Sequence, residues 1–224
     1  MNILIATTNA DSLGPGHPTG TWLEEYAIPY CAFEAAGASI VVASPKGGTT
    51  PLDPKTDPSD EQRRQWASPL AALQNTERLA NVSADDFDAL YIPGGHGPMV
   101  DLANDADIHR LLGEFDRAGK TIGAVCHGPA ALVNATAANG KAFVAGRRVS
   151  GFTNNEEKLV HLDRAVPFLL EDVLKERGAK FDGTPIPFAP HVVSDGNLIT
   201  GQNPSSSGLL ADRMLEALKS TQPA

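Results

Sequence analysis

Cys126 is followed directly by His127 in Gly123-Ala124-Val125-Cys126-His127-Gly128-Pro129-Ala130, where an apolar run ends and a Gly-Pro helix start begins. A thiol and an imidazole at such a bend make the layout of a nucleophile. A side chain at a sharp strand-to-helix turn is pushed out over the carboxyl edge of a sheet. A helix beginning there aims unpaired N–H groups and a positive dipole end at it. Both effects favour thiolate over thiol. A small buried core cysteine is the plain alternative, but it would need neither Gly128 nor Pro129.

A thiolate needs a base, an acid and a place for an oxyanion. His127 is the candidate base, provided that a carboxylate holds its ring. Trp22, Tyr26, Pro29, Tyr30 and Phe33 form an apolar stripe at helical spacing, with Glu25 at its edge and Glu24 well away from it. A half-buried Glu25 would have a raised pKa, as suits a proton donor or base near neutral pH. Otherwise it is a boundary glutamate paired with a cation. Pro29 marks either a kink or the junction of two shorter helices. Pro93-Gly94-Gly95-His96-Gly97-Pro98 follows another apolar run, and its glycines let backbone amides approach a ligand. The amides of Gly95, His127 and Gly128 are the candidate oxyanion hole. Gly151-Phe152-Thr153-Asn154-Asn155-Glu156-Glu157 reads as a turn into a helix, and spacing alone does not choose which glutamate reaches a histidine.

Other readings are weaker. Gly14-Pro15-Gly16-His17-Pro18-Thr19-Gly20 has neither the lysine of a phosphate loop nor dinucleotide-binding spacing. His17, His96 and His127 lie at no helical or hairpin ligand spacing, so no metal is expected. The net charge of −9 and the lack of a Lys/Arg cluster argue against nucleic acid and anionic membrane surfaces. No segment approaches membrane-spanning length, and Met1 leads straight into Ile3-Leu4-Ile5-Ala6 without a basic flank, so a cytoplasmic protein is expected. The two cysteines, Cys31 and Cys126, suggest neither a disulfide framework nor a cysteine metal site.

These residues must be held by a frame. Apolar runs at Asn2 to Ala6, Ser39 to Ala43, Ala89 to Ile92, Thr121 to Val125 and Asn197 to Thr200 predict strands. Helices are predicted from about Trp22 to Ala36, Ala106 to Ala118, Pro129 to Ala138, Val166 to Arg177 and Ser206 to Leu218. The alternation predicts one domain over 1–224, a parallel sheet covered on both faces with its ligand site outside the strands' carboxyl ends. Residues 45–81, rich in Pro, Asp and Gln, interrupt the pattern as an excursion that is either a partial lid or a solvated insertion.

Ala124 to Ala130, preceded by Pro93-Gly94-Gly95-His96-Gly97 and followed by Gly151-Phe152-Thr153 and Thr200-Gly201-Gln202-Asn203-Pro204-Ser205-Ser206, resembles the ThiJ/PfpI superfamily. Thr19-Gly20 with Glu25, the excursion and Gly201-Asn203-Pro204 look most like its branch of small heat-shock chaperones with glyoxalase III activity. The resemblance implies a flavodoxin-like α/β three-layer sandwich, a homodimer, and conversion of methylglyoxal, a small α-oxoaldehyde, to lactate without glutathione, metal or other cofactor. Carried over by residue, Cys126 is the nucleophile, His127 the base, Glu25 the acid near the thiol, and Glu157 the acid that orients His127. Three rivals share parts of the pattern. A glutamine amidotransferase expects glycine where Ala124 stands. A peptidase or amidase would use the same Cys126 and His127, and a holdase chaperone or oxidation sensor would need an exposed apolar patch or a lasting sulfenate.

Overall fold

The computed structural model describes residues 1–137 and 139–221. Along the chain lie β1 (Asn2–Ala6), α1 (Leu23–Ala35), β2 (Ser39–Ser44), α2 (Asp60–Gln65), α3 (Ala67–Ala72), β3 (Glu77–Arg78), β4 (Ala89–Ile92) and α4 (Ala106–Arg117). They are followed by β5 (Thr121–Val125), β6 (Arg148–Val149), α5 (Asn154–Leu159), α6 (Leu170–Glu176), β7 (Lys180–Phe181), β8 (Val192–Asp195), β9 (Leu198–Gly201) and α7 (Ser207–Thr221). Among the described residues, a seven-stranded sheet runs in the order β3-β2-β1-β4-β5-β9-β8. Its pairs are parallel except β8 with β9, and β6 with β7 forms a small separate pair.

The sheet is buried on both faces because its strands are apolar on both. Leu4 and Ala6 of β1 join Leu90, Ile92 and Ile122 against Ile108, Leu111, Leu112 and Phe115 of α4. Ile3 and Ile5, pointing the other way by the period of two, join Tyr91 against Tyr26 and Phe33 of α1 and Leu210 and Met214 of α7. The result is the three-layer flavodoxin-like α/β fold. Its strand order reverses direction between β1 and β4, so the crevice at their carboxyl ends is where a ligand site belongs.

Two expected helices differ. The one expected from Val166 begins only at Leu170, because the residue before it, Leu169, is in extended backbone; Pro167 disfavours helical backbone at Val166. In place of a helix from Pro129, a 3-10 turn spans Gly128–Leu132. Asn134 then donates to the Ala103 carbonyl (3.1 Å) and Thr136 pairs with Ala142, which draws the chain off the helical path. Ala138, the last residue of that expected helix, lies outside the described residues. The cysteine therefore precedes a single short turn, and the dipole of a full helix does not act on it.

Residues 45–81 lie against α1, pinned by Tyr26 Oη donating to the Pro69 carbonyl (3.0 Å) and Leu23 N to Thr56 Oγ1 (3.2 Å). Thr21 N donates to Pro51 O and Asp53 N to Thr21 O, each at 2.9 Å, which brings Pro51 to Thr56 to the carboxyl edge. No helix among the described residues is long and apolar enough to cross a membrane.

Helix α1 passes through Pro29 as one continuous helix. Pro29 has no N–H for the carbonyl of Glu25, four residues earlier. The buried Tyr91 hydroxyl donates to that carbonyl instead, at 2.5 Å, and so ties the turn carrying Glu25 to β4. Tyr91→Phe should cost about 1–3 kcal/mol by orphaning a buried acceptor. Adding Pro29→Ala, which restores an amide donor, should recover part of that loss. Urea denaturation of the two single variants and the double variant checks this, and strictly additive losses would refute it.

Candidate active site

The bend after β5 is sharp at one residue: Cys126 has φ 58, in the left-handed region that favours glycine. Such a conformation costs roughly 1–3 kcal/mol and persists only where surroundings dictate it. Here Cys126 N donates to Gly201 O and Phe152 N to Cys126 O, both at 2.9 Å, so the peptide is held from both sides. Two glycines make room for the turn. A Cβ on Gly128 would stand 2.3 Å from the Ile92 carbonyl oxygen, and one on Gly94 would stand 2.5 Å from Glu25 Oε2 and 2.8 Å from His127 N. Cys126 is only 4 % exposed.

Glu25, in the first turn of α1, is fully buried. Its Oε2 accepts from Gly94 N at 2.8 Å, while Oε1 has no hydrogen-bond partner. Burial raises its pKa to about 8, against the opposing pull of Cys126 and the Gly94 amide. The carboxyl thus holds a proton at neutral pH beside the thiol. Burial also pushes the Cys126 thiol up, and negative charge on Glu25 pushes it further. With Glu25 protonated that second cause is absent, so the two groups titrate as a pair whose proton resides on the carboxyl when the sulfur is ionised.

On the other side of the sulfur, Cys126 Sγ lies 3.3 Å from His127 Nδ1. His127 Nε2 lies 2.7 Å from Glu157 Oε2, and His96 Nε2 lies 2.8 Å from Glu157 Oε1. Glu157 stands at the start of α5. Burial alone would raise its pKa, but the hydrogen bonds from His127 and His96 outweigh that and lower it to about 2. The pKa of His127 falls to about 4, because burial and the neighbouring His96 outweigh Glu157. An ionised carboxylate only accepts, so a neutral His127 must carry its proton on Nε2. Nδ1 then faces the thiol with a free lone pair. The His96 and His127 rings lie tilted with centroids 4.0 Å apart, and Phe152 packs on His127 at 4.5 Å with its ring 6.2 Å from His96.

A cavity of about 150 Å³ opens onto Cys126, walled by Trp22, Lys55, Gly95, His96, His127, Phe152, Val160, Phe188 and Pro204. Cys126, His127, Glu25 and Glu157 therefore come together, and Gly95 lines the cavity. Gly128 packs behind the turn against Ile92 and is not among the lining residues. Glu156 points elsewhere, bonded to Thr153, Phe188 and Asn203. Sequence reasoning gave His96 no role. Its position was signalled, because β4 and β5 pair in parallel with Ile92 opposite Ala124, so the residues that follow the two strands must meet. The ligating atoms of His96, His127 and Glu157 lie within 4.8 Å of one another, a convergence that sequence spacing did not show. In this arrangement each Nε2 is engaged by the carboxylate.

A flavodoxin-like sheet with a cysteine–histidine–carboxylate set at the bend after a central strand defines an α/β protein with a buried thiol at its carboxyl edge. The DJ-1/PfpI family profile matches residues 19–217, and the chain belongs to that family. It is 28% identical to the glutathione-independent glyoxalase HSP31 of Saccharomyces cerevisiae, over 97% of this chain and 98% of the yeast protein. Among solved structures, the Rapid Encystment Protein 24 KDa of Francisella tularensis superposes with a TM-score of 0.91 at 36% identity, covering 97% of this chain and 98% of that one. Glyoxalase III from Candida albicans superposes at 0.88 with 24% identity, covering 97% of each chain.

The pKa of Glu25 has a measurable consequence. Its value is raised from 4.5 to about 8 on folding. The unfolded chain therefore releases this proton first, and the associated stability, complete below pH 4.5, is lost as pH rises through about 8. Glu25→Gln has no proton to lose. Relative to the wild type it should grow more stable between pH 5 and pH 8 in urea denaturation, and a constant difference would contradict the assignment.

Proposed function

We propose that this protein is a glutathione-independent glyoxalase that converts methylglyoxal and similar small α-oxoaldehydes to 2-hydroxy acids, here lactate. The observation that carries the reading is the flanking of one buried sulfur by a protonated carboxyl and a neutral imidazole. Relatives named glutathione-independent glyoxalase or glyoxalase 3, matched over nearly the full chain, support it. The size of the cavity supports it as well, since about 150 Å³ suits a substrate of a few atoms rather than a peptide.

The Cys126 sulfur gives its proton to His127 Nδ1 and forms a bond to the aldehyde carbon. The carbonyl π electrons move to oxygen, and the Glu25 carboxyl or the Gly95 amide stabilises that charge. The proton on His127 Nδ1 passes to that oxygen, completing the hemithioacetal, and the freed Nδ1 then takes the carbon-bound proton, giving an enediol. Return of a proton to the neighbouring carbon yields the thioester of lactate. Water cleaves the thioester, releasing lactate and regenerating the thiol. Methylglyoxal plus water and lactate are at the same oxidation level, so the conversion balances without a redox partner.

Glu157 keeps the proton of His127 on Nε2, which leaves Nδ1 as the base. His96, bonded to the other oxygen of the same carboxylate and exposed to the cavity, is placed to pass protons on the substrate's second carbon. The Pro51 to Thr56 stretch, through Lys55 in the cavity wall, serves as a partial lid. The same reading includes a homodimer, as the family resemblance implies, located in the cytoplasm.

Methylglyoxal supplied without glutathione should yield lactate of one hand on chiral analysis. Cys126→Ala should abolish turnover, and persistent methylglyoxal consumption by that variant would sink the mechanism. Glu157→Gln should reduce kcat/KM by roughly 10²- to 10⁴-fold, since an amide has one acceptor oxygen for two imidazole donors. An unchanged kcat/KM would remove Glu157 from the proton relay.

A further inference from the structure

Glu156 is fully buried beside Glu157, yet its hydrogen bonds go to Thr153, Phe188 and Asn203 and not to the histidines of the site. Its Oε2 accepts from Thr153 N (3.0 Å) and Thr153 Oγ1 (2.8 Å), closing the capping box of α5. Its Oε1 accepts from Phe188 N (2.8 Å) and Asn203 Nδ2 (2.9 Å). The same Asn203 amide donates to the Ala189 carbonyl at 2.8 Å, and Ser206 Oγ, which donates to Asn203 Oδ1, accepts from His191 N at 3.0 Å. Three anchors therefore hold the backbone on either side of Pro190, at Phe188, Ala189 and His191.

The anchored segment carries a conformation it would not adopt alone. Phe188 has φ 59, a left-handed backbone rare for a bulky aromatic residue. Its ring is 41 % exposed, lines the cavity over Cys126, and stands 6.2 Å from Phe152, which packs on His127. Pro204, next to Asn203, lines the same cavity. An exposed aromatic ring gains little by burial, so the strain at Phe188 is offset by the buried polar chain beneath it. What the chain secures is the position of a ring that limits the cavity's reach.

We infer that Phe188 is a specificity-determining wall that restricts the site to short aliphatic α-oxoaldehydes, and that Glu156 is the positioning residue that fixes it. The inference deepens the glyoxalase reading and rests on it for the identity of the substrates. Removing the ring should admit an aryl group beside the aldehyde. Loosening Glu156 should let the ring leave its place while the hydrogen bonds of Glu157 to both histidines stay in place.

The experiment compares methylglyoxal with phenylglyoxal for the wild type, Phe188→Ala, Phe188→Leu and Glu156→Gln, with folding verified by circular dichroism. Phe188→Ala should raise the ratio of kcat/KM for phenylglyoxal over methylglyoxal by about tenfold or more, within the range that pocket size supplies. Phe188→Leu should fall between it and the wild type. Glu156→Gln should shift the ratio the same way, with a larger change in KM than in kcat. A second readout needs no turnover: alkylation of Cys126 by iodoacetamide and by N-benzylmaleimide, followed on its own peptide by mass spectrometry. Phe188→Ala and Glu156→Gln should accelerate the bulky reagent selectively. Unchanged selectivity in both readouts for a folded Phe188→Ala would overturn the wall. Unchanged selectivity in a folded Glu156→Gln would overturn the positioning role. Failure of the wild type on methylglyoxal would refute the glyoxalase reading alone, because the alkylation rates still decide whether Phe188 gates the thiol.

Discussion

The Glu157 carboxylate, clasped between two buried imidazoles, is the constraint on which the rest of the site depends. Through one oxygen it holds His127, through the other His96, and because it only accepts, each ring must present an N–H to it. The tautomer of His127 is thereby fixed, and with it the free lone pair that faces Cys126. The histidine comes directly after the cysteine in sequence and reaches it only because the backbone turns through the left-handed region at Cys126. The strand, the bend, the ring and the carboxylate are thus mutually required. A flatter turn would carry the imidazole off the sulfur, and a displaced α5 would leave it free to change tautomer.

Two carboxyl groups of nearly equal burial end up in opposite protonation states. Glu25 has one amide donor and apolar surroundings, so burial dominates and the proton stays on. Glu157 has two imidazole donors, and their combined pull exceeds the same burial cost. Environments that drive two similar groups apart in this way separate acid from base chemistry within one small cavity. The proton on Glu25 also removes one of the causes, second to burial itself, that oppose ionising the thiol. Charge on the sulfur is tolerable where the adjacent carboxyl is neutral and can donate to it, whereas a buried pair of anions would not be.

Much of this was legible from residues alone. The alternation of apolar runs located the central strands, and the helical stripe put Glu25 on the inner edge of α1, where it is fully buried. The turn at Cys126 was visible in Gly128 and Pro129. The course of the chain beyond that turn was not, because helix-start chemistry is local while the path after Leu132 is set by the contacts of Asn134 with Ala103 and of Thr136 with Ala142. Gly128 and Gly95 looked alike in sequence, yet one lies behind the turn and the other lines the cavity. The choice between Glu156 and Glu157 was in fact encoded. Thr153-x-x-Glu156 is a capping box, which commits Glu156 to the helix start and leaves Glu157 for the histidines. His96 escaped notice because its meaning lies in strand pairing, a relation between segments that no single motif contains.

Consecutive residues on a helix point about 100° apart, so two adjacent glutamates cannot serve one site. In α5 that geometry is put to use. The residue that closes the capping box turns its second oxygen toward Phe188 and Asn203, and the next residue turns toward His127 and His96. One short helix start therefore fixes both the proton inventory of the site and the shape of its opening. The two are coupled through Thr153: a shift of this N-cap would move the base and the aromatic wall together, by amounts set by a single turn of backbone. A site for a reactive small carbonyl compound gains from such coupling, since the thiol is poised to react only in the conformation that also excludes larger groups from it.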